Sequence, residues 1–258
     1  MVQRIAGLLL FAGVVAACPP LEETMQKIAA GSFSMGCDEA QDSTCDAREK
    51  PKHEVELKEY EIDTTEVTAK QFKACVEADA CEVPAACVEG CNYGAADKDS
   101  FPVNNVSWVQ ADAYCRWAGK RLCSEAEWEK AARGTDGRKF PWGDEDAKCS
   151  YAVMNDGGNG CGTNGTLAVG SKPDGASFYK VLDLAGNVWE WVNDLYSSTY
   201  YNECGTSCSD PRGPATGEFR VIRGGCFVSA GNVDLRASAR SGFRPDAVAN
   251  GFGIRCCK

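Results

Sequence analysis

Sixteen cysteines, one histidine, two short stretches and an arginine-rich segment carry what chemistry this 258-residue chain can do. With His53 as the single imidazole, neither a Ser/His/Asp triad nor a histidine-rich iron site can be assembled without it, and no second imidazole is available to share a metal. The lack of a repeated CxxC knuckle weighs against zinc. His53 opens an alternating stretch and reads as a surface residue rather than a catalyst. The stretch RGGCFVSAGNVDLR, residues 223–236, sets Cys226 beside two glycines and three residues after Arg223. A reactive thiol needs a lowered pKa and access, whereas a structural one needs a partner. The stretch DLAGNVWEWVND, residues 183–194, puts Asp183 and Glu190 at the ends of a Gly-Asn turn. Calcium takes several oxygen ligands, and such a turn can supply carbonyls between two carboxylates. On chemistry alone these acids read as solvated groups of an acidic protein. Arg220, Arg223, Arg236, Arg240, Arg244 and Arg255 lie in a segment without lysine. Their planar forks suit carboxylates held in fixed geometry, and pairing with some of the 37 acidic residues is the expected fate of most.

The compartment follows from the thiols. A reduced cytosolic protein rarely carries so many cysteines, so the chain belongs in an oxidising environment. Nearness suggests local bridges Cys37–Cys45, Cys75–Cys81, Cys87–Cys91, Cys149–Cys161 and Cys204–Cys208. The opening residues MVQRIAGLLLFAGVVAAC carry one positive charge, Arg4, and an apolar run too short for the roughly 20 residues that span a bilayer. Small residues then lead into Cys18, the pattern of a bacterial lipoprotein signal over residues 1–18 with Cys18 acylated. An ordinary secretory signal cut nearby is the alternative. The absence of aspartate after Cys18 points by analogy to the outer membrane. A formal charge of −10 leaves no basic field for a polyanion, so no nucleic-acid partner is expected.

The elements that must position these residues are short. IAAGSFSMG alternates like a strand ending at a glycine turn, and HEVELKEYEI, residues 53–62, alternates as a second strand. Three hydroxyl residues are followed three places later by Gln or Glu: Thr68 with Gln71, Ser107 with Gln110, Ser124 with Glu127. This capping-box spacing predicts helices over about residues 69–78, 108–118 and 125–133, with Gly119 and Gly134 as C-terminal caps. Glycine, asparagine and aspartate dominate residues 134–176, and nothing divides residues 19–258 into separate domains.

Read in order, IAAGSFSMG, EYEIDTTEVTAKQF, FPVNNVSWVQADAYCRWAGKRLCSEAEWEKAARG with FPWGD, VLDLAGNVWEWVND, RVIRGGCF and GFGIRCC resemble the formylglycine-generating enzyme family, the sulfatase-modifying factors, over nearly all of residues 25–257. The resemblance implies an α+β fold, a single loop-rich domain similar to C-type lectins and often holding calcium. It also implies, for the best-known members, oxidation of a sulfatase cysteine to formylglycine with oxygen and a copper ion held by two cysteines. Here Ser229 stands at the first copper position, and residues 230–234 contain no cysteine. Copper(I) prefers soft thiolates, so copper is not expected. Arg223, Cys226, Ser229 and Arg240 remain as candidate groove residues without an expected catalytic role. Cys226 replaces the family's serine and Cys123 its proline, which suggests a Cys123–Cys226 bridge. Cys115 matches a family cysteine bonded to the terminal one, here Cys256, leaving Cys257 unpaired or a rival partner for Cys226. Asp183, Gly186, Val188 and Glu190 match a family calcium site, and Asn155 with Asp174 loosely match a second. Trp128, Trp189 and Trp191 are expected in the core. The expected protein is a lipid-anchored envelope protein that binds a protein, peptide or glycan, or acts structurally. The alternative is a copper oxidoreductase that makes formylglycine with Cys226 and Cys257 as displaced ligands. Iron-dependent sulfur transfer would require a histidine-rich companion domain.

Overall fold

Hydroxyl side chains start the helices. Helices α1 (Ala69–Glu77), α2 (Trp108–Trp117) and α3 (Glu125–Arg133) are each preceded by their capping residue, Thr68, Ser107 and Ser124. In each case the hydroxyl accepts from the backbone N–H three residues on, and that residue's side chain accepts from the cap's own N–H. Two orphan donors of the first turn are thereby satisfied. Gly119 and Gly134 follow α2 and α3 with φ of 71° and 67°. The computed structural model describes residues 24–84, 87 and 90–258. Cys18 and the leader expected around it lie outside the described residues.

Each alternating stretch divides into two strands instead of one. β1 (Met25–Ile28) and β2 (Gly31–Met35) are separated by a turn, as are β3 (His53–Leu57) and β4 (Tyr60–Asp63). β1 pairs antiparallel with β4 from Met25↔Asp63 to Ile28↔Tyr60, whereas β2 pairs with β3 from Gly31↔Leu57 to Met35↔His53. One long hairpin thus changes sheets halfway, and the breaks are where it does so. The remaining strands are β5 (Arg121–Leu122), β6 (Trp189–Leu195), β7 (Ser207–Ser209), β8 (Arg220–Arg223), β9 (Arg240–Phe243), β10 (Phe252–Ile254) and β11 (Cys256–Cys257). They complete three sheets, ordered β1-β4-β11-β5, β10-β6-β8-β9 and β2-β3-β7. The result is an α+β, loop-rich domain with little regular structure.

The cysteines show how the sheets are pinned. All five local bridges form, and Cys115 joins Cys256. The expected Cys123–Cys226 bridge does not: Cys123 joins Cys257, and Cys226 is a free buried thiol. Strand geometry gives the reason. Successive side chains of a strand point to opposite faces, so adjacent Cys256 and Cys257 enter different cores. Cys256 lies among Phe72, Val106, Tyr114 and Trp191, and Cys257 among Ile62, Trp128 and Val192. β11 pairs with β5 at Cys257↔Arg121, which brings Cys123, just past β5, within 4.9 Å Cα to Cα of Cys257. Trp128 and Trp191 are fully buried as expected, and Trp189 is partly so.

The Ser124 cap lies on the most buried helix, every residue of which is buried. Ser124→Ala is expected to lower stability by about 1 kcal/mol in urea unfolding, the usual value of a cap; a change below a few tenths would show that tertiary packing alone holds α3.

Candidate functional site

β8 ends at Arg223, and Gly224 and Gly225 turn the chain with φ of 98° and 74°. A Cβ at Gly225 would come 2.7 Å from Leu235, so the second glycine answers both a left-handed backbone and a close contact. The turn places Cys226 in a small apolar cluster with Val153 and Phe227, flanked by Leu167 and Trp189. Ser229 closes the loop onto it. The Cys226 N–H donates to Ser229 Oγ at 3.1 Å, the Ser229 N–H donates to the Cys226 carbonyl at 2.8 Å, and Sγ and Oγ stand 3.9 Å apart. Burial pushes the Cys226 thiol up, so it is held protonated. Cys226 is thus neither a bridge nor an activated nucleophile. At the position the resemblance gives to a copper cysteine stands a hydroxyl occupied in a turn.

The arginines face inward. Arg223 is fully buried against Glu129 and donates to the carbonyls of Ala237, Ser238 and Ala239. Arg240 donates to Glu125 through two bonds of 2.7 Å, and Arg236 donates to Glu49 from both terminal guanidinium nitrogens. Burial would lift the Glu125 carboxyl, but Arg240 and Arg223 outweigh it and hold it below the ordinary range. Arg223 and Arg240 are therefore core counter-ions, which corrects their expected place on a groove wall. Arg220 lies over the Trp108 ring at 3.7 Å, and Arg244 pairs at the surface with Asp246.

The acids of the Gly-Asn turn converge with a third that the sequence did not single out. Asp183 Oδ2 accepts from the Gly170 N–H at 2.6 Å. Glu190 is held by Arg255 at 2.7–3.0 Å and by the Trp128 indole at 2.6 Å. Glu66, 1% exposed, accepts from Asn187 Nδ2 at 2.7 Å and the Val188 N–H at 3.2 Å. Burial first, then the Asp183 and Glu190 charges, raise Glu66 well above its ordinary value, and burial pushes Asp183 up to about 6. Three carboxylates thus face one guanidinium, an excess of buried negative charge that either protons or a hard cation can offset. Asp183 and Glu66 are hard oxygen donors of the type calcium takes, and Gly186 and Val188 lie on the same turn between Asp183 and Glu190. Glu190 is already the counter-ion of Arg255. Glu66 lies in DTTEVT, more than a hundred residues from the turn, so no local spacing could reveal it. Asn155 and Asp174 are both exposed, and no hydrogen bond joins them. Asn155 donates its N–H to the Ser229 carbonyl, and Asp174 lies in a 3-10 turn of Pro173–Gly175.

Cavities open on the described surface at two places near these residues. One of about 860 Å³ beside Cys37 has walls of charges that largely satisfy one another, as Lys52 with Asp38, Lys139 with Asp42 and Arg138 with Asp136. The other, about 400 Å³, adjoins the RGGCF turn and is lined by Asn92, Lys98, Phe101, Thr166, Phe227 and Asn250.

This disulfide-pinned, loop-rich domain, with its RGG turn and buried Arg-Glu pairs, is the formylglycine-generating-enzyme type of fold. The chain belongs to that family: residues 12–258 match the sulfatase-modifying factor enzyme 1-like domain. It is 34% identical to the formylglycine-generating enzyme of Streptomyces coelicolor over 93% of this chain and 91% of that one. Among solved structures, PvdO from Pseudomonas aeruginosa superposes with a TM-score of 0.76 at 26% identity, over 90% of this chain and 93% of that one. Treponema denticola variable protein 1 gives 0.73 at 25%, over 92% and 95%.

Two measurements follow. In native protein, an alkylating reagent without reductant is expected to leave Cys226 unmodified, and to add one label to the chain from residue 24 once it is unfolded; rapid native labelling would contradict the buried, protonated thiol. The Asp183 carboxyl, raised in the folded state from an ordinary 3.8 to about 6, favours folding at low pH, and that contribution is lost as pH rises through about 6. Calcium requires the ionised form, so a chelator is expected to lower the melting temperature clearly near pH 7.5 and little near pH 5. Indifference to chelator at both values would remove calcium from this site.

Proposed function

We propose that this protein is a lipid-anchored component of a bacterial envelope whose domain binds a ligand or partner instead of oxidising a cysteine. The observation that supports this most is the state of the thiols. Ser229 occupies the copper-cysteine position with its hydroxyl engaged by the Cys226 N–H. Cys226 is the one free thiol among the described residues, buried and protonated. A copper(I) site with two thiolates needs a second soft ligand. The displaced pair Cys226 and Cys257 does not supply one, because Cys257 is bonded to Cys123.

The cavity beside Phe227 is the binding site in this reading. Its wall offers an apolar face at Phe101 and Phe227, polar groups at Asn250 and Thr166, and the Lys98 ammonium 3.8 Å over the Phe101 ring. Such a wall suits an extended peptide or a glycan presenting both hydroxyl and apolar surface. Calcium at Asp183, with Gly186 and Val188, has a structural role in this reading, fixing the turn that leads into β6. The Cys18 anchor places the domain at the membrane surface, in the outer membrane of a double-membraned cell. No helix of the described residues is long and apolar enough to cross a membrane.

Purified, calcium-loaded protein incubated with copper(I), oxygen and a Cys-x-Pro-x-Arg peptide is expected to leave the peptide mass unchanged. Formylglycine formed at a copper-dependent rate would overturn the binding reading. Separately, Cys18→Ser is expected to abolish incorporation of a labelled fatty acid and release the protein from membranes; retained labelling would remove the anchor.

A further inference from the structure

His53, expected at the surface, is 4% exposed at the start of β3. Its Nδ1 lies 2.9 Å from the Pro51 carbonyl. A carbonyl can only accept, so Nδ1 is the donor of this bond, and in the neutral ring the lone pair is then on Nε2. The edge of Tyr201, with ring centroids 4.8 Å apart, fixes the plane of the imidazole. A ring nitrogen of His53 and the sulfurs of Cys204 and Cys208 all lie within 4.8 Å of one another. The sulfurs are joined as a disulfide, with Cys208 on β7, which runs parallel to β3 at Val55↔Cys208.

We infer that this cluster is a thiol-gated metal site: reduction of the Cys204–Cys208 bridge opens two thiolates that, with His53 Nε2, take a borderline or soft divalent cation of the zinc class. Zinc holds sulfur at about 2.3 Å and imidazole nitrogen at about 2.0–2.1 Å in tetrahedral geometry. The two sulfurs and a ring nitrogen of His53 already lie within 4.8 Å of one another, so the site needs the sulfurs to separate and the imidazole to present its free nitrogen. An imidazole that donates its other N–H to a backbone carbonyl is the usual support of a metal-bound histidine. A cavity of about 10 Å³, room for a single small guest, lies here between His53, Cys204, Glu125, Asp194 and Tyr201. Asp194, on the same wall, already accepts from the Glu125 N–H at 2.9 Å.

The chemistry balances with one reductant, a dithiol. It transfers two electrons and two protons to the bridge, breaking the S–S bond and becoming a cyclic disulfide, and the metal then displaces both thiol protons to water. Access separates this bridge from the two central ones: Cys204 and Cys208 are half-buried, whereas Cys115, Cys123, Cys256 and Cys257 are wholly enclosed. The other cluster of suitable spacing, Cys37, Asp42 and Cys45, lacks a free acid, because Asp42 is bonded to Thr44 and paired with Lys139 and Arg236.

The test uses the full chain, reduced briefly with limiting dithiol, desalted without oxygen and titrated with cobalt(II). Mass spectrometry of alkylated samples identifies the opened bridges. One equivalent of cobalt is expected to give a thiolate charge-transfer band that zinc abolishes and that oxidised protein lacks. The double variant Cys204→Ser with Cys208→Ser is expected to lose the band, and His53→Gln to bind cobalt about 100-fold more weakly. If His53→Gln does not fold, the cysteine variant and the histidine ring resonances of wild type on adding zinc keep the test sharp. No band once both thiols are free, a band that survives the cysteine variant, or unmoved ring resonances would each overturn the site.

Discussion

Buried guanidinium groups are the constraint on which the rest of this structure depends. A loop-rich chain leaves many backbone carbonyls without a strand or helix partner, and each buried one needs a donor. Here arginines supply them. Arg223 reaches the carbonyls of Ala237, Ser238 and Ala239; Arg255 those of Asp63 and Leu182; Arg240 those of Arg48 and Ser197. Such charges are tolerable inside only when paired, which is why Glu129, Glu190 and Glu125 are buried opposite them. Two of those acids lie on one face of α3, so the helix acts as a rack of counter-ions around which the irregular segments are gathered.

This arrangement decides what the RGG turn can offer. In sequence Arg223 stands three residues from Cys226 and could activate it, but the core claims its charge. The thiol sits among apolar side chains beside the Ser229 hydroxyl, and burial keeps it protonated. The family's fold is thus held together by pairs that lie apart from Cys226 and Ser229. Those pairs stabilise the core whatever chemistry takes place beside them.

The same separation holds for the disulfides. β11 carries one cysteine into each of two cores, so two bridges tie the C-terminal strand to α2 and to the chain just after β5. These enclosed bonds hold the architecture. The half-buried Cys204–Cys208 bridge instead sits beside an oriented imidazole at the edge of the β2-β3-β7 sheet.

Local chemistry was legible in the sequence. The three capping boxes fixed the helices almost to the residue, because a hydroxyl and a Gln or Glu three places on act through neighbouring backbone alone. The close cysteine pairs were legible too, since short loops close at little entropic cost, and the ordered motifs disclosed the family. Tertiary structure alone decided the partner of Cys123, the inward turn of Arg223 and Arg240, the burial of His53 and the meeting of Glu66 with Asp183. Each of these joins residues through strand alternation, strand pairing or the packing of loops that are distant in sequence. Spacing along a chain records which groups are neighbours in sequence, and only the packed sheets set which of them share a core.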